Sequence, residues 1–135
     1  MMLRRLFVLL LPMLLVAGVA QARQAPLVIP DPIPVPQSLD TDQVVRAIKL
    51  AMTARTWLIN SEAPGRIEAS ITVRSHGARI VVEYDATQIR IQHVDSSELQ
   101  EDVDRNGVHV IHRNYNSWLQ NLAQDIRLQL QAAQI

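Results

Sequence analysis

The chain has 135 residues, of which 48% are hydrophobic and 19% are charged, a composition that fits one globular domain. Thirteen basic residues balance thirteen acidic residues, and cysteine is absent. These figures exclude a strongly basic nucleic-acid-binding protein, a disulfide scaffold and a thiol nucleophile.

The first 22 residues have the three parts of a secretory signal peptide. Arg4 and Arg5 form the positive end, residues 6–20 the apolar stretch, and Ala20-Gln21-Ala22 the cleavage site. About 15 apolar residues, interrupted by a proline, fall short of the ~20 that cross a bilayer, and a retained anchor is the alternative. We expect export to the periplasm, cleavage near Ala22 and no stable membrane insertion afterwards.

Residues 23–38 form a proline-rich segment, with prolines at positions 26, 30, 32, 34 and 36. Alternating prolines fix φ and keep the residues before them out of the helical region. The pattern predicts an extended spacer. It would hold the domain away from a surface, serve as a ligand for a groove, or be a plain tail.

Residues 39–135 are predicted to form a single domain that begins and ends with a helix. Asp40 and Gln43 have the spacing of a capping box, and apolar residues then recur every three or four positions to about Arg55. Asn114 or Asn116 is expected to cap the last helix. The apolar stripe of that helix consists of Tyr115, Trp118, Leu119, Leu122, Ile126 and Leu130.

Between these helices the apolar period changes to two, which predicts four strands joined by short turns. Pro64-Gly65 is typical of a turn, and Glu83 is expected opposite Arg90 on the polar face. Residues 95–106 are predicted to form an acidic loop, and residues 108–111 a short fifth strand or a lead-in. We expect an α+β fold, a two-layer α-β-β-β-β-α sandwich in which two helices cover one face of an antiparallel four-stranded meander.

Several separated motifs occur in a fixed order along the domain: Arg55-Thr56-Trp57, Pro64-Gly65, Arg74-Ser75-His76, Asp95-Ser96 with Leu99, residues 111–118 (I-H-R-N-Y-N-S-W) and residues 122–126. Together these motifs resemble those of one family of small proteobacterial envelope proteins, many of them lipoproteins. The family pattern has a glycine where Thr56 stands, a tyrosine where His93 stands and a shorter stretch at residues 101–108. The resemblance implies an envelope location and this fold, and it supplies no catalytic residues. Lipid attachment is not carried over, because no cysteine follows the leader.

The densest polar and aromatic cluster is His112, Arg113, Asn114, Tyr115 and Trp118. Tyr, Trp and Arg are frequent anchors of interfaces, so these five residues are the predicted binding residues. The structural alternative is that the asparagines cap the helix while Tyr115 and Trp118 point into the core.

Metal sites have weak sequence signals. Residues 102–107 reproduce the opening of a calcium loop through Asp102, Asp104 and Asn106, but Arg113 stands at the position of the closing glutamate. The four histidines are interpreted as structural. His109 and His112 form an H-x-x-H pair that would point to opposite faces of a strand, and His76 and His93 come from different turns and strands, whereas a zinc site needs three or four convergent ligands. We therefore expect no cofactor and no metal, with the acidic loop as the remaining candidate.

These patterns favour a non-catalytic binding or envelope-interaction module, with an unknown protein or envelope component as partner. A calcium-responsive module is one alternative. A small hydrolase centred on Ser96 or His112 is the other, although neither a nucleophile elbow nor a glycine-rich oxyanion turn accompanies the serine.

Overall fold

A computed structural model describes residues 23–135 of the chain. The predicted signal peptide and its cleavage site lie outside these residues. The described part is an α+β fold of two helices and two antiparallel sheets.

The first helix, α1 (Thr41–Ala54), begins at the predicted capping box. The Asp40 carboxylate accepts a hydrogen bond from the Gln43 backbone N–H at 2.8 Å, and the Gln43 side chain accepts one from the Asp40 N–H at 3.0 Å. Two backbone donors of the first turn are thereby satisfied.

The same helix ends in a Schellman motif. The N–H of Thr56 donates to the carbonyl of Thr53, and the N–H of Trp57 donates to that of Met52. Thr56 occupies the left-handed position of the motif, with φ of 65°. Glycine is the usual residue there, because a β-branched side chain is strained at positive φ.

The second helix, α2 (Arg113–Ala132), begins two residues earlier than an N-cap at Asn114 would allow and four residues earlier than one at Asn116. His112 is the N-cap, and its Nδ1 accepts a hydrogen bond from the Asn114 N–H at 3.2 Å. The prediction that Asn114 or Asn116 is the N-cap was wrong. The preceding strand runs directly into the helix, so both asparagines already lie in the first turn of α2.

Five strands form the larger sheet, in the order β2-β6-β5-β4-β3. They are β2 (Ile33–Pro34), β3 (Leu58–Ala63), β4 (Arg66–Val73), β5 (His76–Tyr84) and β6 (Gln88–Ser97). The last four are the predicted meander, and Gly65 adopts φ of 77° in the turn between β3 and β4. Glu83 lies opposite Arg90 as expected, with 3.2 Å between the charged atoms.

Three short strands form a second antiparallel sheet in the order β1-β8-β7. They are β1 (Gln24–Pro26), β7 (Asp102–Val103) and β8 (His109–His112). Only β8 was foreseen, as a short strand or lead-in. Strands of two or three residues have too little alternation to be recognised in a sequence.

The proline-rich segment packs against the domain in this structure. Gln24–Pro26 pairs with β8, Ile33–Pro34 pairs with β6, and Ile33 and Val35 are buried. Prolines are tolerated in these positions because both strands lie at sheet edges, where a missing N–H costs no ladder hydrogen bond. Within residues 24–35 the chain is therefore part of the fold rather than a spacer standing apart from it.

The core lies between the two helices and one face of the larger sheet, which confirms the predicted sandwich. The opposite face of the sheet carries cross-strand ion pairs, including Arg79 with Asp95. Neither helix of residues 23–135 has the length and apolar character that crossing a membrane requires.

Candidate functional site

A β-bulge in β6 brings His93 and Ser96 onto the same face of the sheet. His93 pairs with Ile80 and Ser96 pairs with Ala78, while Val94 is the extra residue between the two registers. Ile80 and Ala78 both face the buried side. Residues three apart on a regular strand point to opposite faces, so the bulge is what places these two side chains together.

A strained segment then carries the chain back over this face. Glu98 and Gln100 both adopt positive φ, of 57° and 55°, on either side of the buried Leu99. The carbonyl of Leu99 accepts the His112 N–H at 2.7 Å, and the carbonyl of Glu98 lies 2.6 Å from Nδ1 of His76. These anchors hold the backbone so that the next residue, Glu101, points toward β6.

Glu101 lies between two histidines. Its Oε2 atom is 3.0 Å from Nε2 of His93 and 2.6 Å from Nε2 of His109, and its Oε1 atom accepts the Ser96 hydroxyl at 2.5 Å. The His93 side chain is 4% exposed, that of Glu101 27% and that of His109 45%. The cluster therefore extends from the edge of the core to solvent.

The carboxyl group of Glu101 is held in its charged form. Burial, the largest effect, raises its pKa, but the hydrogen bonds from Ser96, His93 and His109 together outweigh burial. The pKa of Glu101 is consequently below its ordinary value, and the group is ionised at neutral pH.

Tyr115 fixes the orientation of His93 from the core side. Burial first, and then the negative charges of Glu101 and Asp95, raise the pKa of Tyr115 far above its ordinary value, so the hydroxyl keeps its proton. This hydroxyl lies 2.6 Å from Nδ1 of His93. In the neutral histidine, Nδ1 accepts a hydrogen bond from the tyrosine hydroxyl while Nε2–H donates to the Glu101 carboxylate.

The arrangement does not match a serine hydrolase. In a catalytic triad the histidine stands between serine and carboxylate, since it must take the serine proton. Here Glu101 stands between Ser96 and His93. Among residues 23–135, Ser96 has no hydrogen bond to a histidine, and His112 serves as the helix cap.

The same three groups are suited to a metal ion. One ring nitrogen each of His93 and His109 and a carboxylate oxygen of Glu101 lie within 4.8 Å of one another, and Nε2 of each histidine faces Glu101. Two imidazoles and one carboxylate are a ligand set of zinc proteins. This set was missed in the sequence, where His109 was considered with His112 rather than with His93. The available signal was His93 itself, a histidine continuing the apolar face of Ile89 and Ile91.

The five predicted binding residues do not share one surface. Tyr115 is fully buried and Trp118 is half-buried against it, with ring centroids 5.9 Å apart. Arg113 and Asn114 are exposed. His112, Asn114 and Trp118 line a small cavity of about 60 Å³ together with His76 and Leu99.

Of the predicted calcium residues, Asp102 lies in β7, whereas Asp104 and Asn106 lie in the turn between β7 and β8. Asp104 Oδ1 accepts the N–H groups of Asn106 and Val108 at 2.8 and 2.9 Å, and Asp102 Oδ1 accepts the N–H of Val103 at 2.8 Å. All of these residues are exposed. The side-chain oxygens of both aspartates thus serve the backbone of a hairpin turn.

Comparison with known proteins does not place the chain in a family. No protein-family model matches it, and no curated protein or solved structure does. The resemblance to envelope proteins therefore stays a prediction.

Proposed function

We propose that the chain is an exported, non-catalytic binding protein of the cell envelope, and that it binds a divalent transition-metal ion, Zn²⁺ above all. The observation that carries this proposal is the convergence of His93, Glu101 and His109 within 4.8 Å. We call these three residues the metal-site triad.

The spacing of the metal-site triad suits a tetrahedral ion after a small expansion. Ligand atoms about 2.0–2.1 Å from zinc in a tetrahedral site are roughly 3.3 Å from one another. The two histidine nitrogens are at present 3.0 and 2.6 Å from Glu101 Oε2. His109 is half-exposed and sits on a short strand, so the expansion requires only a small movement of its ring.

Two neighbours supply the outer hydrogen bonds that metal ligands need. With an ion on Nε2 of His93, the ring proton would be on Nδ1, which would donate to the Tyr115 oxygen 2.6 Å away. Ser96 donates to the Glu101 oxygen that does not face His109. Hydrogen bonds on the side away from the ion would therefore orient His93 and Glu101.

The donor set favours zinc over calcium. Calcium takes six to eight oxygen ligands, whereas imidazole nitrogens suit Zn²⁺ and its neighbours in the transition series. Two of the three donors of the metal-site triad are imidazole nitrogens.

We infer that the site binds an ion without catalysing a reaction, because of what the nearby carboxylates of Glu101 and Asp95 contact. In zinc proteases of the H-E-x-x-H class, a glutamate that is not a ligand acts as the general base. Glu101 is itself in the metal-site triad. Asp95, the acidic residue beside the bulge, is paired through both oxygens with Arg79.

Calorimetric titration of a tag-free protein of residues 23–135 with Zn²⁺ tests the proposal. We expect one ion per chain, and a tetrahedral absorption spectrum when Co²⁺ replaces zinc. His109→Ala and Glu101→Gln should weaken binding by more than about tenfold, whereas Glu83→Gln, which alters a glutamate paired with Arg90 on the polar face of the sheet, should not.

Three results would contradict parts of this proposal. Failure of the wild-type chain to bind zinc, or an equal loss in Glu83→Gln, removes the metal site. Turnover of a substrate by the zinc-loaded protein that His109→Ala abolishes removes the non-catalytic assignment. Cell fractionation that finds the protein in the cytosol removes the envelope location.

A further inference from the structure

We define residues 24–28 as the N-terminal strap. The strap is hydrogen-bonded to the backbone of His109, a ligand of the metal-site triad, and to the backbone of Gln100, the residue before Glu101. The N–H of Leu27 donates to the carbonyl of His109 at 2.9 Å. The side chain of Gln24 donates to the carbonyl of Gln100, next to Glu101, at 2.7 Å. The strap thus lies behind both of the more exposed ligands.

Asn116 clamps the end of this strap to α2. Its side-chain oxygen accepts the N–H of Val28 at 2.9 Å, and its side-chain nitrogen donates to the carbonyl of Pro26 at 2.9 Å. An amide that satisfies one donor and one acceptor of a partly exposed segment fixes the position of that segment.

The three ligands depend on the strap to different degrees. His93 lies on β6, which pairs with β5 over most of its length. His109 lies on β8, the middle strand of the smaller sheet, whose two neighbours are the three-residue β1 and the two-residue β7. Without β1, the strand that carries His109 keeps only two paired positions in that sheet.

We propose that docking of the N-terminal strap controls the metal affinity of the site, and that a bound ion in turn holds the strap in place. This inference rests on the proposed function. The docked strap orders Glu101 and His109 before the ion arrives, which lowers the entropy cost of binding. Because such coupling is reciprocal, the ion must stabilise the docked strap by the same factor.

Asn116 acts here as a positioning residue, since it reaches the ligands only through the strap. Asn116→Ala should weaken zinc binding roughly 5- to 150-fold, the usual range of such coupling. Asn114→Ala is the matched control, because the Asn114 side chain forms no hydrogen bond within residues 23–135.

Hydrogen exchange in the wild-type protein gives the decisive measurement. Saturating Zn²⁺ should slow exchange of the Leu27 and Val28 amides at least roughly fivefold. The Val35 amide, which donates to Thr87 at 2.9 Å in the same N-terminal segment, is the internal control and should not change.

The outcomes separate the inference from the function on which it rests. Absence of zinc binding in the wild type refutes the proposed function. Zinc binding that leaves the Leu27 and Val28 amides unchanged overturns the control by the strap alone. Unchanged zinc affinity in a folded chain that begins at residue 29 also overturns the control by the strap. The same holds if Asn116→Ala binds zinc with unchanged affinity although its strap amides exchange faster.

Discussion

Replacing Tyr115 by phenylalanine tests the polar link between the core and the site. The substitution removes one oxygen and keeps the ring, which packs edge-to-face on Trp118 with centroids 5.9 Å apart. The hydroxyl removed is the partner of His93 Nδ1, at 2.6 Å.

The expected magnitude follows from the burial of both partners. Tyr115 is fully buried and the His93 side chain is 4% exposed, so water does not replace the lost hydroxyl. Leaving a buried acceptor without a donor costs about 1–3 kcal/mol, and we expect about 2 kcal/mol for Tyr115→Phe. For a domain of this size the melting temperature should fall by roughly 10 °C.

Urea unfolding followed by circular dichroism in metal-free buffer measures this loss. Tyr84→Phe is the matched control, because Tyr84 is the other tyrosine of the chain and its hydroxyl has no hydrogen bond within residues 23–135. That control should change the unfolding free energy by less than about 0.5 kcal/mol. Equal losses in the two variants would refute the reasoning. The same Tyr115→Phe protein should also bind zinc about tenfold more weakly, since it lacks the outer partner of a ligand.

Three further predictions concern stability. Thr56→Gly should raise the unfolding free energy by about 1 kcal/mol, because φ of 65° at Thr56 is strained for a β-branched residue; a destabilised variant in urea unfolding would contradict this. Burial first, then the positive charges of His76, Arg23 and Arg113, lowers the pKa of His112 from 6.5, so stability should be lost as the pH falls from 6.5 toward the lower folded pKa. His112→Asn, which keeps an acceptor for the helix, should flatten that part of the pH profile; an unchanged slope would oppose the assignment. Trp57→Ala should cost about 3–5 kcal/mol and half-buried Trp118→Ala about 2 kcal/mol, and the reverse order in thermal unfolding would count against the described core.

The sequence alone predicted the two helices, the four-stranded meander and the side of the sheet that is buried. These features follow from local periodicity, since a helix or strand that buries one face repeats its apolar residues at a fixed interval. The sequence also predicted the capping box at Asp40 and Gln43 and the pairing of Glu83 with Arg90, because each depends on residues close in the chain.

Tertiary structure decided the smaller sheet and the candidate site. His93, Glu101 and His109 follow one another at intervals of eight residues. A spacing of eight does not predict proximity unless the backbone path between the residues is known. That path requires a bulge at Val94 and positive φ at Glu98 and Gln100, none of which the residue types favour. Local patterns therefore determined the sandwich, while packing of distant segments brought a strand, a strained loop and a second sheet together at one end of it.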